Sequence, residues 1–183
     1  MEFREEITRA QQEKWFQSIN NKFNNYFLIE FNGEKIGMIY GSKVDWDKKE
    51  TGNGGIFIWE AKWLETSAPL AASLMLTEIS FLLGLERTFI KVLRDNPRAI
   101  SFNKNLGYEL LPDQENKYNQ QYVLTMENYF RKAGKFREPF VKQFGEVFSI
   151  QIEDLSNDSE MNIVNLYEEM NVENRKRFKM ELP

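Results

Sequence analysis

The sequence holds no cysteine and no histidine. Without thiols there is neither a disulfide framework nor a thiolate nucleophile, and without imidazole the commonest general base and metal ligand are missing. Any chemistry must therefore use carboxylates, amides, hydroxyls or the backbone. Only 5 prolines and 10 glycines occur in 183 residues, and no repeat, low-complexity tract or Pro/Gly-rich linker marks a domain boundary. No apolar run reaches the roughly 18 residues of a membrane span, and the opening MEFREEITR is charged, without an apolar leader core. These absences imply a soluble, cytoplasmic protein with no membrane partner and no metal. A formal charge of −4 argues against a nucleic-acid partner. What is present, 42% hydrophobic and 14% aromatic residues, can bury one sizeable core, so a single domain over residues 1–183 is expected.

Thr8 followed by Gln11 makes a capping box, and Trp15, Ile19 and Phe23 recur at i, i+4 and i+8, which predicts a helix over about residues 9–23. Asn32-Gly33 stands between two β-rich runs. Both residues accept positive φ, so residues 26–31 and 35–40 are expected to form a hairpin. The polar stretch 45–53 reads as a loop, and GGIFIWEAKW as a third strand ending near Glu60. The segment TSAPLAASLMLTEISFLLGL has Thr66 or Ser67 as cap, Pro69 in its first turn and Gly84 near its end. Apolar residues cover nearly every side of it, so this helix should be mostly buried against a sheet. Residues 89–93 read as a strand, Asn96-Pro97 as the start of a helix ended by Gly107, and residues 108–111 and 121–126 as strands. Helix, three strands, helix, strand, helix and two strands describe a mixed α/β sheet.

ITRAQQEKWF, the hairpin FLIEFNGEKIG and the run DNPRAISFNKNLGYEL, in this order, resemble the GNAT superfamily of N-acyltransferases over roughly residues 5–128. The resemblance implies an α/β (α+β) fold with a mixed, mainly antiparallel twisted sheet flanked by helices. It also implies an activity, in which a neutral amine attacks the thioester of acetyl-CoA or a longer acyl-CoA directly, with no covalent enzyme intermediate.

In that family an R/Q-x-x-G-x-G/A loop opens the long helix, and its amides and the helix dipole hold the coenzyme A pyrophosphate. Here the place is taken by Ser67, Ala68, Pro69, Leu70, Ala71 and Ala72. Ser67 offers a hydroxyl and the alanines are small, but Pro69 deletes one donor and the leading Arg or Gln is absent. The segment is either a modified cofactor loop or a well-capped helix that no longer binds nucleotide. Strand-edge amides near Trp59, Ala61 and Trp63 are expected to bind the pantetheine and polarise the thioester carbonyl. The family commonly places a tyrosine acid seven residues after the asparagine that caps the next helix. Seven residues after Asn96 stands Asn103, two turns on along one face. Asn103 can bind the sulfur or a pantetheine amide but cannot act as an acid; otherwise it is a solvated polar residue. Glu60, flanked by Trp59 and Trp63, is the candidate base or a solvated strand end. Tyr40, Asp45 and Trp46, the last two beside Asp47, are candidates for binding the acceptor, although a solvated turn explains the acidic patch equally well.

The pattern resembles enzymes that acylate amino sugars on nucleotide carriers, and enzymes that acylate protein N-termini. The amino sugar is the preferred acceptor. A catalytically silent GNAT-like module acting as a protein-interaction domain is the alternative, favoured by the altered loop and Asn103. The expected partner is a small-molecule amine, with a homodimer as an open assembly.

The family fold opens with a strand and a helix ahead of the segment matching ITRAQQEKWF, which here stands at the head of the chain. More than fifty residues follow the expected last strand. Among them VFSIQIEDLSNDSEMNIVNLYEEMNVENRKRFKM holds a strand-like run at 147–152, a helix over about 159–170, and Asn171 spaced four from Arg175, which resembles that opening. The expectation is a main body over 1–128 and a C-terminal segment over 129–183 that supplies the missing strand and helix by circular permutation. The run 147–152 must then pair with the strand at 26–31. The alternative is an extension that packs elsewhere or on a second subunit.

Overall fold

A computed structural model of the chain describes residues 7–145, 148–151 and 158–183. Helix α1 (Arg9–Ile19) begins at the capping box: the Gln11 amide donates to Thr8 Oγ1 at 3.3 Å and the Thr8 amide donates to Gln11 Oε1 at 2.8 Å. It ends short of Phe23 because asparagine chemistry intervenes. Asn21 Oδ1 accepts from the Phe23 amide at 3.0 Å and from Asn24 Nδ2 at 2.9 Å, offering the backbone a turn in place of another helical bond.

Strands β1 (Asn24–Phe31) and β2 (Glu34–Asp45) form the expected hairpin, with Asn32 at φ 53° and Gly33 at φ 80°. Strand β3 (Glu50–Ile58) pairs antiparallel with β2 almost to the turn, matching Asp45 to Glu50. The loop expected over 45–53 therefore shrinks to a tight turn, held by the Lys48 amide donating to Asp45 Oδ1 at 3.0 Å. Gly52, inside the expected loop, sits in strand, where a Cβ would lie 3.1 Å from the Lys43 carbonyl oxygen.

After a 3-10 turn (Ala61–Trp63) come α2 (Ala68–Leu82), β4 (Arg87–Leu93), α3 (Pro97–Leu106), β5 (Glu109–Leu110) and β6 (Asn119–Thr125). The six strands form one mixed sheet in the order β1-β2-β3-β4-β6-β5, antiparallel except for the parallel pair β3·β4. Gly107 closes α3 at φ 108°, where a Cβ would meet the Asn128 carbonyl oxygen at 2.7 Å, so this position requires glycine on both counts. The apolar surface of α2 is shared between two clusters. Leu74 and Phe81 pack with Ile90, Val92, Leu106 and Tyr122, while Ala68 packs with Ile29, Ile36 and Ile39. The helix thus spans the junction between β3 and β4.

The C-terminal part comprises α4 (Met126–Lys132), α5 (Gly134–Phe144), β7 (Phe148–Gln151), α6 (Asp158–Glu169), α7 (Val172–Arg177) and β8 (Phe178–Glu181). The permuted pairing is not formed among the described residues of the chain. Among the described residues β7 pairs in parallel with β8, and β1 pairs with β2 alone; Val147 and Ile152 lie outside the described residues. The reason is a second anchor that the sequence pattern did not reveal. Phe178 is fully buried against Leu82, Met170 and Tyr167, and it fixes β8 where β7 can join it. Asn171 caps α7 by accepting the Asn174 amide at 2.9 Å, and Arg175 donates to the Met170 carbonyl at 3.0 Å. No helix among the described residues is long and apolar enough to cross a membrane.

Candidate functional site

The parallel strands β3 and β4 share only two registered pairs, Glu50 with Arg87 and Thr51 with Thr88. The ladder stops there, and a cavity of about 70 Å³ occupies the fork beyond it, floored by α2 and closed by α3. Which residues line it follows from periodicity. On α2, Ser73, Thr77 and Ser80 fall on one helical face. On β3, Gly54 and Gly55 leave the space that side chains would fill. Thr88, Asn103 and Tyr108 complete the opposite wall.

Among the described residues no charged side chain lines this fork. Its polar groups are hydroxyls and one amide. Ser73 Oγ donates to the Pro69 carbonyl at 2.9 Å and Ser80 Oγ to the Leu76 carbonyl at 2.7 Å. The Thr88 and Tyr108 hydroxyls are bonded to each other at 2.9 Å. Asn103 Nδ2 donates back to the Ala99 carbonyl at 2.8 Å, so its Oδ1 is the atom left for the cavity. Asn96, its expected partner, is exposed and spends its Oδ1 on the Ala99 amide at 3.0 Å as the cap of α3. It does not line the fork.

Burial pushes the Tyr108 hydroxyl up to about 12 from an ordinary value of 10.0, against the lowering effect of the Thr88 bond. A raised folded-state pKa favours the neutral form, so this contribution to stability is complete below about pH 10 and is lost as pH rises towards 12. At about 1.4 kcal/mol per unit, the expected loss is about 2–3 kcal/mol. Unfolding free energies of the protein and of Tyr108→Phe should converge by that amount between pH 9 and pH 12, because the phenylalanine variant lacks the titration. A constant difference would contradict a buried, neutral Tyr108.

Tyr40 reaches the fork from the sheet face opposite α2, since its neighbour Ile39 packs on the α2 side. A Cβ on Gly55 would stand 3.0 Å from the Tyr40 hydroxyl oxygen, so glycine there lets the ring lie across β3. Tyr40 stacks on Tyr26 at 5.1 Å between centroids, and Trp15 of α1 meets Tyr26 edge-on at 5.4 Å. Burial, and then the neighbouring Tyr40, raise the Tyr26 pKa above its ordinary value. A row of three aromatic rings thus leads from α1 to the fork. Asp45 and Trp46 lie elsewhere, at the closed end of the strands. Asp45 holds Lys48 at 2.7 Å, a bond that lowers its pKa, and Trp46 Nε1 donates to the Lys22 carbonyl at 2.9 Å.

The head of α2 lies past the end of β3. Ser67 is exposed and makes no side-chain cap bond, no acidic residue stands in the first turn, and the Ala71 amide is spent on the Ser67 carbonyl at 2.9 Å. The Ser67 and Leu70 amides have no acceptor among the described residues. Pro69 is buried, and its missing donor subtracts one amide from this end. The six positions 67–72 do not act as one surface. Leu70 turns to the Leu74 and Phe81 cluster on the fork side, while Ala68, Ala71 and Ala72 face a groove beside β1. An anion meeting this helix end would find two free amides, a 15-residue helix dipole and no acidic residue in the first turn, which fits a pyrophosphate.

The expected strand-edge amides are largely occupied. The Trp59 amide donates to the Ile36 carbonyl at 3.0 Å and the Trp63 amide to the Glu60 carbonyl at 3.1 Å. The Trp63 ring covers the end of the β1–β2 core beside Phe31, at 6.0 Å between centroids. Ala61 is exposed in the 3-10 turn. Glu60 stands beyond the end of β3, exposed, 3.2 Å from Lys62 and outside the fork lining. Of the sequence candidates, the fork brings together Tyr40 and Asn103. It adds Thr77, Thr88, Tyr108 and the pair Gly54-Gly55, of which only the paired glycines inside a strand-like run gave a readable signal.

Residues 1–109 match the sequence model of an acetyltransferase (GNAT) domain. Among solved structures, the chain resembles a chimera of the spermidine N-acetyltransferase SpeG from Vibrio cholerae and hSSAT, with TM-score 0.59 and 15% identity over 68% of this chain and 84% of that one. It resembles the Vibrio cholerae spermidine N-acetyltransferase in complex with CoA and spermine, with TM-score 0.56 and 15% identity over 68% and 79%. Apo FdhC, a nucleotide-linked sugar GNAT, matches with TM-score 0.54 and 20% identity over 70% of each chain. At these identities the likeness is one of fold. No curated protein gives a significant match.

Proposed function

Because the chain belongs to the GNAT acetyltransferase family, matched over residues 1–109 of 183, we propose that it transfers an acetyl group from coenzyme A to the primary amine of a nucleotide-linked amino sugar. The observation that carries this reading is the uncharged, hydroxyl-lined fork at the end of the Trp15–Tyr26–Tyr40 row. A sugar ring offers C–H faces to aromatic rings and hydroxyls to Ser, Thr and Tyr. A polyamine carries several positive charges, and burying them needs carboxylates that the described lining of the fork does not have.

Coenzyme A, when bound, supplies the acyl group activated as a thioester. The Ser67 and Leu70 amides would hold its pyrophosphate, and Asn103 Oδ1 with the Thr77 hydroxyl would orient the chain that enters the fork. A space of about 70 Å³ suits an acetyl group better than a long acyl chain. Among the described residues no carboxylate lines the fork, so the amine gives its proton to solvent before attack and Tyr40 positions it. Tyr108, held neutral, keeps an O–H donor in the wall.

Free coenzyme A thiol release should be followed with a nucleotide-linked amino sugar, with spermidine and with a peptide amine. Turnover with the first alone is expected. Preference for spermidine or for the peptide would replace the acceptor, and absence of both turnover and coenzyme A binding would favour the silent interaction module.

One substitution tests the cofactor end. In Ser67→Asp the new carboxylate can cap α2, which now lacks a side-chain cap, so stability should hold or rise by roughly 0.5–1 kcal/mol. The same charge opposes the phosphates, and coenzyme A affinity should fall at least about tenfold, equal to about 1.4 kcal/mol. Unchanged affinity in titration calorimetry would move the pyrophosphate away from this helix.

A further inference from the structure

A thioester that gives up its acyl group leaves a sulfur carrying the electron pair of the broken C–S bond, and inside an enclosed space that sulfur needs a hydrogen-bond donor. Several donors of the fork are already spent. Asn103 Nδ2 serves the Ala99 carbonyl, Ser73 Oγ the Pro69 carbonyl and Ser80 Oγ the Leu76 carbonyl. The Thr88 and Tyr108 hydroxyls differ from these. They hold two protons and share one bond, at 2.9 Å, so one O–H of the pair has no acceptor among the described residues. Both side chains line the fork and both are 8% exposed. Their place is its closed end: Thr88 forms the last rung of the β3–β4 ladder with Thr51, and Tyr108 directly follows Gly107, the left-handed residue that turns the chain out of α3. Thr51 and Thr77 carry aliphatic hydroxyls, weaker donors than a phenol, and Tyr40 enters from the acceptor side.

We infer that Tyr108 is a catalytic residue that receives the leaving sulfur: Thr88 Oγ1 donates to the Tyr108 oxygen, and the Tyr108 O–H, turned into the fork, donates to sulfur as the C–S bond breaks. The inference rests on the reading that the acyl thioester enters this fork. A hydroxyl that accepts one bond while donating another is the stronger donor, so Thr88 supports Tyr108. Protons and electrons balance without an acid. The C–N bond forms, the nitrogen releases one proton to water, the electron pair of the C–S bond passes to sulfur, and the sulfur takes one proton from water after leaving the fork. Tyr108 keeps its own proton. At about 12 its hydroxyl is a weaker acid than an alkyl thiol at about 8.5, so it stabilises the thiolate without giving the proton away.

The chain contains no cysteine, so the thiol of bound coenzyme A can be titrated with no protein thiol competing. Thiolate absorbance should be followed from about pH 6 to about pH 10, below the range in which Tyr108 ionises, with S-methyl coenzyme A as the blank. A donor to the thiolate lowers the pKa of the thiol. In Tyr108→Phe the bound thiol should therefore titrate about one to two units higher than in the unaltered protein, the range of a hydrogen bond to a charged group. Coenzyme A affinity at neutral pH should stay within about threefold by calorimetry, and acetyl transfer should slow by about ten- to a hundredfold. Thr88→Val, which keeps the phenol and removes its support, should give a smaller rise, and Thr88→Ser should match the unaltered protein. Equal thiol pKa values with and without the Tyr108 hydroxyl overturn the inference. Ser73→Leu, which fills the fork, then tells the two readings apart: if it moves the thiol pKa the sulfur does lie in the fork and only the role of Tyr108 falls, and if it does not the fork reading falls as well. Loss of coenzyme A binding in a folded Tyr108→Phe also overturns the inference, because the hydroxyl would then hold the cofactor. Should Tyr108→Phe not fold, Thr88→Val carries the test, and an unmoved thiol pKa there has the same consequence.

Discussion

Replacing Glu78 by alanine will destabilise the protein by about 3–5 kcal/mol, the effect of breaking a buried ion pair and leaving its partners in place. Glu78 is 3% exposed, in the middle of α2. Its carboxylate accepts from the Tyr129 hydroxyl at 2.9 Å, from Arg137 Nε at 2.7 Å and Nη2 at 3.3 Å, and from Arg177 Nη2 at 2.7 Å. Three separate helices, or their ends, are thus tied to one carboxylate. Arg177 Nε is already buried without a partner, so loss of the carboxylate adds to an existing deficit. Burial, and next the charge of Glu78, hold the Tyr129 hydroxyl above its ordinary pKa, which keeps it a donor. Urea unfolding should report the loss, and limited proteolysis should cut first in the part after Thr125, where α5 and α7 lose their tie. Glu78→Gln keeps an acceptor but no charge and should fall between. A cost below about 1 kcal/mol for the alanine variant would mean that apolar packing around Phe178, rather than this carboxylate, holds the C-terminal part.

Filling the fork should separate activity from stability. Ser73 is 7% exposed and lines the cavity, and its hydroxyl bonds only to the Pro69 carbonyl of its own helix. Leucine is the better helix former, and its side chain would occupy most of the roughly 70 Å³ now empty. Ser73→Leu should therefore leave stability within about 1 kcal/mol, while kcat/KM for acyl transfer falls at least about a hundredfold, or about 2.7 kcal/mol of transition-state stabilisation. Ser73→Ala, which leaves the space open, should stay near the unaltered rate. If the leucine variant folds and keeps its rate within about threefold, the acyl group and amine do not meet in the fork.

The sequence by itself determined what a few neighbouring residues can decide. Thr8 with Gln11, Asn32-Gly33 and Asn96-Pro97 through Gly107 each fixed an element end, because caps, positive φ and a missing N–H act within a turn of the backbone. The GNAT resemblance put Tyr40 and Asn103 among the site candidates, the second because the family places an acid seven residues after the capping asparagine. Tertiary structure decided the rest. Glu60, Trp59 and Trp63 read as a site, yet their amides and charges are spent on Ile36, Lys62 and the 3-10 turn. Ala71 and Ala72 read as a phosphate cradle, but the 100° step of the helix turns them to the β1 groove. The run at 147–152 has the alternation of a strand, and alternation says which face is apolar without naming the partner. The partner was decided by Phe178, some thirty residues later, and by two arginines meeting a carboxylate at position 78. The fork itself depends on where two strands stop pairing, and the Thr88–Tyr108 bond on a helix that brings them together. These contacts join residues far apart in the chain, and their energies come from burial and exclusion of water, which no local pattern encodes.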